Sequence, residues 1–183
     1  MAGSNEYNSR EGEIIAVDQM EVDSVPGRRS QVMQGRAPHD DNYEMRVLES
    51  FSRQKLLKSI GATLTKVMPG EVEISLEFRD DLTQQHGFIH AGIVATLADT
   101  ACGYAAFSLM APDAAVLTVE YKINLLSPAV GESLVALGKV TRPGRALTVC
   151  SGDVFAVKDG DKKLVATMLA TMMSIRDREG FVG

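Results

Sequence analysis

Hydrophobic and polar positions change their period along this chain, and each change marks an element. In DDNYEMRVLESFSRQKLLKSIG, residues 40–61, Val47, Leu48, Phe51 and further apolar residues recur at helical spacing. Asp41 or Asn42 offers the N-cap and Gly61 the stop, so one amphipathic helix is expected. The period then falls to two. ATLTKVM, the Pro69–Gly70 turn and EVEISLEF read as a β-hairpin with Val72, Ile74, Leu76 and Phe78 on one face. A polar loop, RDDLTQQHGFIH, leads into a helix from Ala91 to Met110 that is apolar or small almost throughout and ends before Pro112. Its only charged side chain is Asp99. Four strand patterns follow: AVLTVEYKINLL, ESLVALGKVTR, ALTVCSGDVFAVK and KLVATMLATMMSI. Short breaks separate them, Ser127–Gly131, Pro143–Gly144 and Asp159–Asp161, so sequence neighbours are expected to pair antiparallel.

A helix that is apolar nearly all round must be covered nearly all round. The economical cover is one antiparallel sheet of about six strands, strongly curved and wrapped around the helix, an α+β architecture. The helix end and a sheet edge remain open, which favours a dimer. Residues 1–40 are rich in Ser, Asn, Gly, Arg and acidic residues, with Tyr7 their one aromatic. They read as a mobile arm in which GEIIAVDQMEV adds at most a short strand. The folded domain is expected over 41–178, with 179–183 as a tail.

Composition narrows the function classes. The chain has 183 residues, enough for one domain, with 45% hydrophobic and 23% charged residues, a globular balance. A net charge of −5 argues against a nucleic-acid partner. Acidic residues through 1–30 and the lack of a long apolar run there argue against a secretory leader. The apolar helix is long enough to raise the question of a membrane span. Its Ala, Gly, Ser and Thr content, its central Asp99 and the absence of flanking Lys/Arg asymmetry point to a buried core helix and no membrane association. Cys102 and Cys150 lie in apolar segments without metal-ligand or redox spacing, so they read as buried free thiols in a reducing cytoplasm, and no metal site is expected.

QQHGFIHAGIVATLADTACGYAA followed by LTVEYKINLLSPA resembles the hotdog-fold acyl-CoA thioesterases of the phenylacetic-acid-degradation type. The likeness covers roughly residues 45–176. Gln84 stands where that family carries an amide residue, Gly87 at its glycine, His90-Ala91-Gly92 at its His-Gly-Gly, Asp99 at its helical acid and Thr118 at its Ser or Thr. The first glycine of His-Gly-Gly is Ala91 here, which keeps the backbone N–H and adds a methyl beside the acyl pocket. The resemblance implies the hotdog fold, two equivalent sites at a homodimer interface, a dimer or dimer of dimers, and an acyl-CoA substrate. No cofactor is expected, coenzyme A being part of the substrate.

Thioester hydrolysis needs a stabiliser for the carbonyl oxygen and a base or nucleophile for the attack. The unpaired N–H groups and positive dipole end at Ala91 and Gly92 fit the first need. Asp99 fits the second, as general base or as nucleophile. The two positions are eight residues apart, about 12 Å along one helix, too far for one carbonyl carbon to meet both. They therefore act together only across two antiparallel helices of different chains. His90 is expected to position the loop and cap the helix, with His86 a loop residue. Gln84 is a candidate to hold the attacking water or the thioester, and Thr118 is a candidate water ligand. Arg142 and Arg145, flanking a turn, are candidates for coenzyme A phosphates. The rival functions are a hotdog hydratase or dehydratase of hydroxyacyl thioesters using a loop histidine, and a non-catalytic acyl-CoA-binding protein.

Overall fold

A computed structural model describes residues 37–176. The expectations for the arm before residue 37 and for the tail lie outside them. Two helices open the described chain, α1 (Tyr43–Ser52) and α2 (Lys55–Ile60), and the hairpin β1 (Thr63–Met68) and β2 (Glu71–Glu77) follows. After a 3₁₀ turn at Asp80–Leu82 come α3 (Ala91–Phe107), β3 (Ala115–Leu125), β4 (Ser133–Arg142), β5 (Leu147–Lys158) and β6 (Asp161–Ile175). The six strands form one antiparallel sheet in the order β1-β2-β4-β5-β6-β3, and α3 packs against β2, β4, β5, β3 and β6. This is the wrapped helix that the apolar pattern implies.

Three expectations need correction. The helix expected over 41–61 is two, broken at Arg53–Gln54, although Gly61 closes the second in a left-handed conformation as read. Its N-terminus is capped from outside: Asn42 makes no side-chain cap bond, whereas Asp40 Oδ1 accepts the Asn42 N–H at 2.9 Å. Asp40, the last residue of the expected arm, thus belongs to the fold. Second, β3 does not pair with β4. β2 and β5 already occupy both edges of β4, so β3 takes the free edge of β6 and becomes an edge strand. Third, Phe78 falls beyond β2 and is exposed, while Val72, Ile74 and Leu76 are buried as expected.

Two contacts fix α3 in its trough. Gly138 and Gly152 face each other across β4 and β5, and α3 crosses them at Ala101 and Cys102. A Cβ at Gly138 would lie 2.1 Å from the Ala101 carbonyl carbon, so only glycine admits the helix at this depth. At the other end, the Arg46 guanidinium from α1 donates to the Ala111 and Met110 carbonyls, both at 2.8 Å, and stacks 4.3 Å from the Phe107 ring centroid. Asp40 pairs with it at 3.2 Å. Among the described residues no helix is long and apolar enough to cross a membrane.

Candidate active site

One face of α3, carrying Gly92, Thr96, Asp99 and Gly103 at helical spacing, opens into a cavity of about 530 Å³. Thr118 reaches it from the opposite wall on β3 and donates its hydroxyl to Asp99 Oδ1 at 2.8 Å. A bulge makes this aim possible. β3 and β6 pair in step up to Thr118, then slip by one residue before Glu120. Bulges re-aim side chains in this way beside many sites. Burial pushes the Asp99 carboxyl above the ordinary aspartate range, and the Thr118 hydrogen bond opposes that shift without cancelling it. Such a group is a stronger proton acceptor than a solvated carboxylate.

At the helix N-terminus the two expected N–H donors differ. His90 is the N-cap, and its Nδ1 accepts the Gly92 N–H at 2.9 Å. Neutral His90 therefore carries its ring proton on Nε2. The Gly92 donor is thereby committed to the cap, and a Cβ at 92 would crowd the same ring at 3.1 Å. The Ala91 N–H has no acceptor among the described residues. The loop before it closes on itself. Gln84 N–H donates to Phe88 O at 2.8 Å, Gly87 N–H donates to Gln84 O at 2.9 Å, and Gly87 holds the left-handed φ of 79° that this turn needs. The Gln84 side-chain oxygen accepts the His86 N–H, so the amide is tied to its own loop.

The chain separates the expected partners into two groups. Asp99, Thr118 and Gly92 line the first cavity. Ala91 and Gln84 line a second, of about 360 Å³, with Phe88, Val94 and Leu126. His86 is exposed and lines neither cavity, its backbone N–H tied to Gln84, and His90 is exposed at the helix start. Arg142 and Arg145 are exposed at the β4–β5 turn; Arg145 lines a third cavity beside the C-terminal end of α3, apart from Asp99. Both cysteines are free and buried; burial raises both thiols, Cys150 to about 12, which removes them as nucleophiles. Residues that sequence reasoning missed also line the Asp99 cavity: Ser50, Gln54 and Tyr104, joined by hydrogen bonds.

The thioesterase superfamily model matches residues 86–163, a span that includes the α3 N-terminus, Asp99 and Thr118. A protein named a putative esterase, from Saccharolobus solfataricus, is 30% identical over 131 residues, covering 72% of this chain and 85% of that one. The human protein named acyl-coenzyme A thioesterase 13 is 30% identical over 107 residues, 57% of this chain and 73% of that one. Among solved structures, a thioesterase family protein from Silicibacter pomeroyi superposes with a TM-score of 0.73 at 49% identity, covering 74% of this chain and 99% of that one. The E. coli PaaI protein from the phenylacetic acid degradation operon shares the fold, with a TM-score of 0.67 at 20% identity over 78% of this chain and 97% of its own.

Proposed function

From the premise that this chain belongs to the hotdog-fold thioesterase superfamily and is a thioester hydrolase, we propose that it hydrolyses acyl-CoA thioesters at sites shared by two copies of the chain. The observation that carries this reading is the Asp99 carboxylate, half-buried in a cavity wall and held by the Thr118 hydroxyl at 2.8 Å. Thr118 occupies Oδ1 and leaves Oδ2 to accept a proton. Asp99 takes that proton from water as the water oxygen bonds to the thioester carbon. Negative charge gathers on the carbonyl oxygen, and the uncommitted Ala91 N–H of the second copy stabilises it. Collapse breaks the C–S bond, and the proton passes from Asp99 to the departing thiolate. The products are the free acid and coenzyme A.

His90 positions this donor by holding the Gly92 N–H and thus the first turn of α3. Gln84, beside Ala91 in the second cavity, keeps its NH₂ group for the thioester. Among the described residues no cationic side chain lines the Asp99 cavity, so the phosphates of coenzyme A stay outside it, with Arg142 and Arg145 as their partners. Dimerisation is supported by β3, an edge strand on which Val119 and Tyr121 are about half exposed, 53% and 48%. Asp99→Asn keeps the shape and removes the base, so kcat is expected to fall by about 10²–10⁴. Thiol release from a panel of acyl-CoA substrates measures it. Near wild-type hydrolysis by this variant overturns the role of Asp99, and an enoyl absorbance change without thiol release marks a hydratase instead.

A further inference from the structure

The Asp99 cavity has a second polar pole that hydrolysis does not use. α1 ends at Ser52 and α2 begins at Lys55, with neither glycine nor proline between them. The break leaves Gln54 extended, at φ −74° and ψ 97°, and its Nε2 donates to the Tyr104 hydroxyl at 3.2 Å. That hydroxyl in turn donates to Ser50 Oγ at 3.4 Å. The Tyr104 ring is 3% exposed and clasped between Phe51, 5.7 Å away, and Phe107, 6.2 Å away. Its hydroxyl is therefore fixed in place. Ser50, Gln54 and Tyr104 all line the cavity, and Leu57, Phe107 and Val116 make its wall apolar. A phenylalanine at 104 would fill the same space without a polar atom to satisfy, so the hydroxyl and its partners call for a function.

Among the described residues Asp99 is the only charged side chain in this lining, so the cavity suits an acyl group and not the phosphates of coenzyme A. We propose that Ser50, Gln54 and Tyr104 form the distal end of the acyl subsite and select acyl groups bearing a hydroxyl or similar hydrogen-bonding group at their far end. This rests on the reading above, in which the thioester carbonyl reacts at Asp99. The Asp99 and Tyr104 backbones are five residues apart, about 7.5 Å along the α3 axis, so the two poles stand apart in one cavity and a six-carbon acyl chain is the probe chosen to reach between them. The Gln54 side-chain oxygen has no partner among the described residues and can accept the hydroxyl of such a chain. The trio is already internally bonded, so the gain from a matching group is moderate, unlike that of a site left wholly unpaired.

The test uses two non-hydrolysable thioethers, S-hexyl-CoA and S-(6-hydroxyhexyl)-CoA, with Kd measured by calorimetry on the full chain. Wild type is expected to bind the hydroxylated analogue about tenfold more tightly, the effect of roughly one net hydrogen bond. In Tyr104→Phe, and separately in Gln54→Leu, the ratio of the two affinities is expected to fall to about one. Equal affinities in wild type, binding of neither analogue, or a preference unchanged in both variants overturns the proposal. Turnover is not needed, so the outcome stands apart from the role of Asp99. Failure of the hydrolase reading shows separately, as absence of thiol release across the panel of acyl-CoA substrates, hydroxylated ones included.

Discussion

The two carboxyl oxygens of Asp99 are treated differently: Oδ1 accepts the Thr118 hydroxyl at 2.8 Å, and the group as a whole is half-buried. Burial outweighs the hydrogen bond, so the folded-state pKa lies above the ordinary aspartate value of 3.8. The sign of the resulting pH dependence follows. Between the unfolded and folded values the folded chain binds more protons than the unfolded one, so stability falls as pH rises through that window and is level beyond it. An asparagine at 99 keeps an oxygen for Thr118 and does not titrate. Asp99→Asn is therefore expected to be more stable than wild type at pH 7, with the margin shrinking as pH falls towards the unfolded value. Urea midpoints at pH 7 and near pH 4 measure it. A wild type more stable than the variant at pH 7 would contradict burial as the dominant cause. Asp99 was legible in the sequence because a lone charge in an apolar helix stands out. His90 was legible as the helix cap, but its taking of the Gly92 N–H was not, because that depends on one imidazole rotamer. Nor was the Ser50–Gln54–Tyr104 cluster, in which Tyr104 meets partners 50 and 54 positions away after a helix break that no local signal marks.

At the level of elements, the depth of α3 in the sheet depends on two glycines that contribute no side chain. A Cβ at Gly138 would meet Ala101 backbone atoms at 2.1 and 2.2 Å, whereas one at Gly152 would meet the Cys102 thiol at 2.8 Å and the Ala98 carbonyl at 3.3 Å. Backbone gives less than a rotatable thiol. Gly138→Ala must lift the helix and is expected to cost about 3 kcal/mol, and Gly152→Ala about 1 kcal/mol. Denaturant midpoints rank them, and equal losses would mean that the helix yields as easily as the side chain. Most elements were legible from period alone: the β1–β2 hairpin, α3 and the last four strands fall within a few residues of their expected places. Their neighbours were not. Short breaks suggested sequential pairing, but β3 sits beside β6, because edge availability is a property of the whole sheet and leaves no local mark. The bulge between Thr118 and Glu120 was hidden for the same reason, and with it the aim of Thr118 at Asp99.

On the scale of the whole molecule, the two groups of the proposed site do not meet within one chain: Asp99 opens into one cavity and Ala91 into another. Their backbones are separated by eight residues, about 12 Å along α3, so a shared carbonyl requires a second copy related by a two-fold axis. Subunit exchange tests this directly. Ala91→Pro removes an N–H that has no acceptor within the described chain, at the first helical position, where proline is tolerated. His90 before it already has the extended backbone that a residue preceding proline prefers, at φ −60° and ψ 138°. The fold is thus expected to survive, while loss of the donor costs about 2.7–4 kcal/mol of transition-state stabilisation. Asp99→Asn supplies the complementary defect, and each variant alone is expected to be nearly inactive. When the two are mixed and their subunits exchange, every mixed dimer has one site with both groups intact and one with neither. With half the dimers mixed, about a quarter of wild-type sites return. Native mass spectrometry reports the mixed species and thiol release reports the activity. Mixed dimers present with no activity regained would mean that Asp99 and the Ala91 N–H do not act on the same carbonyl.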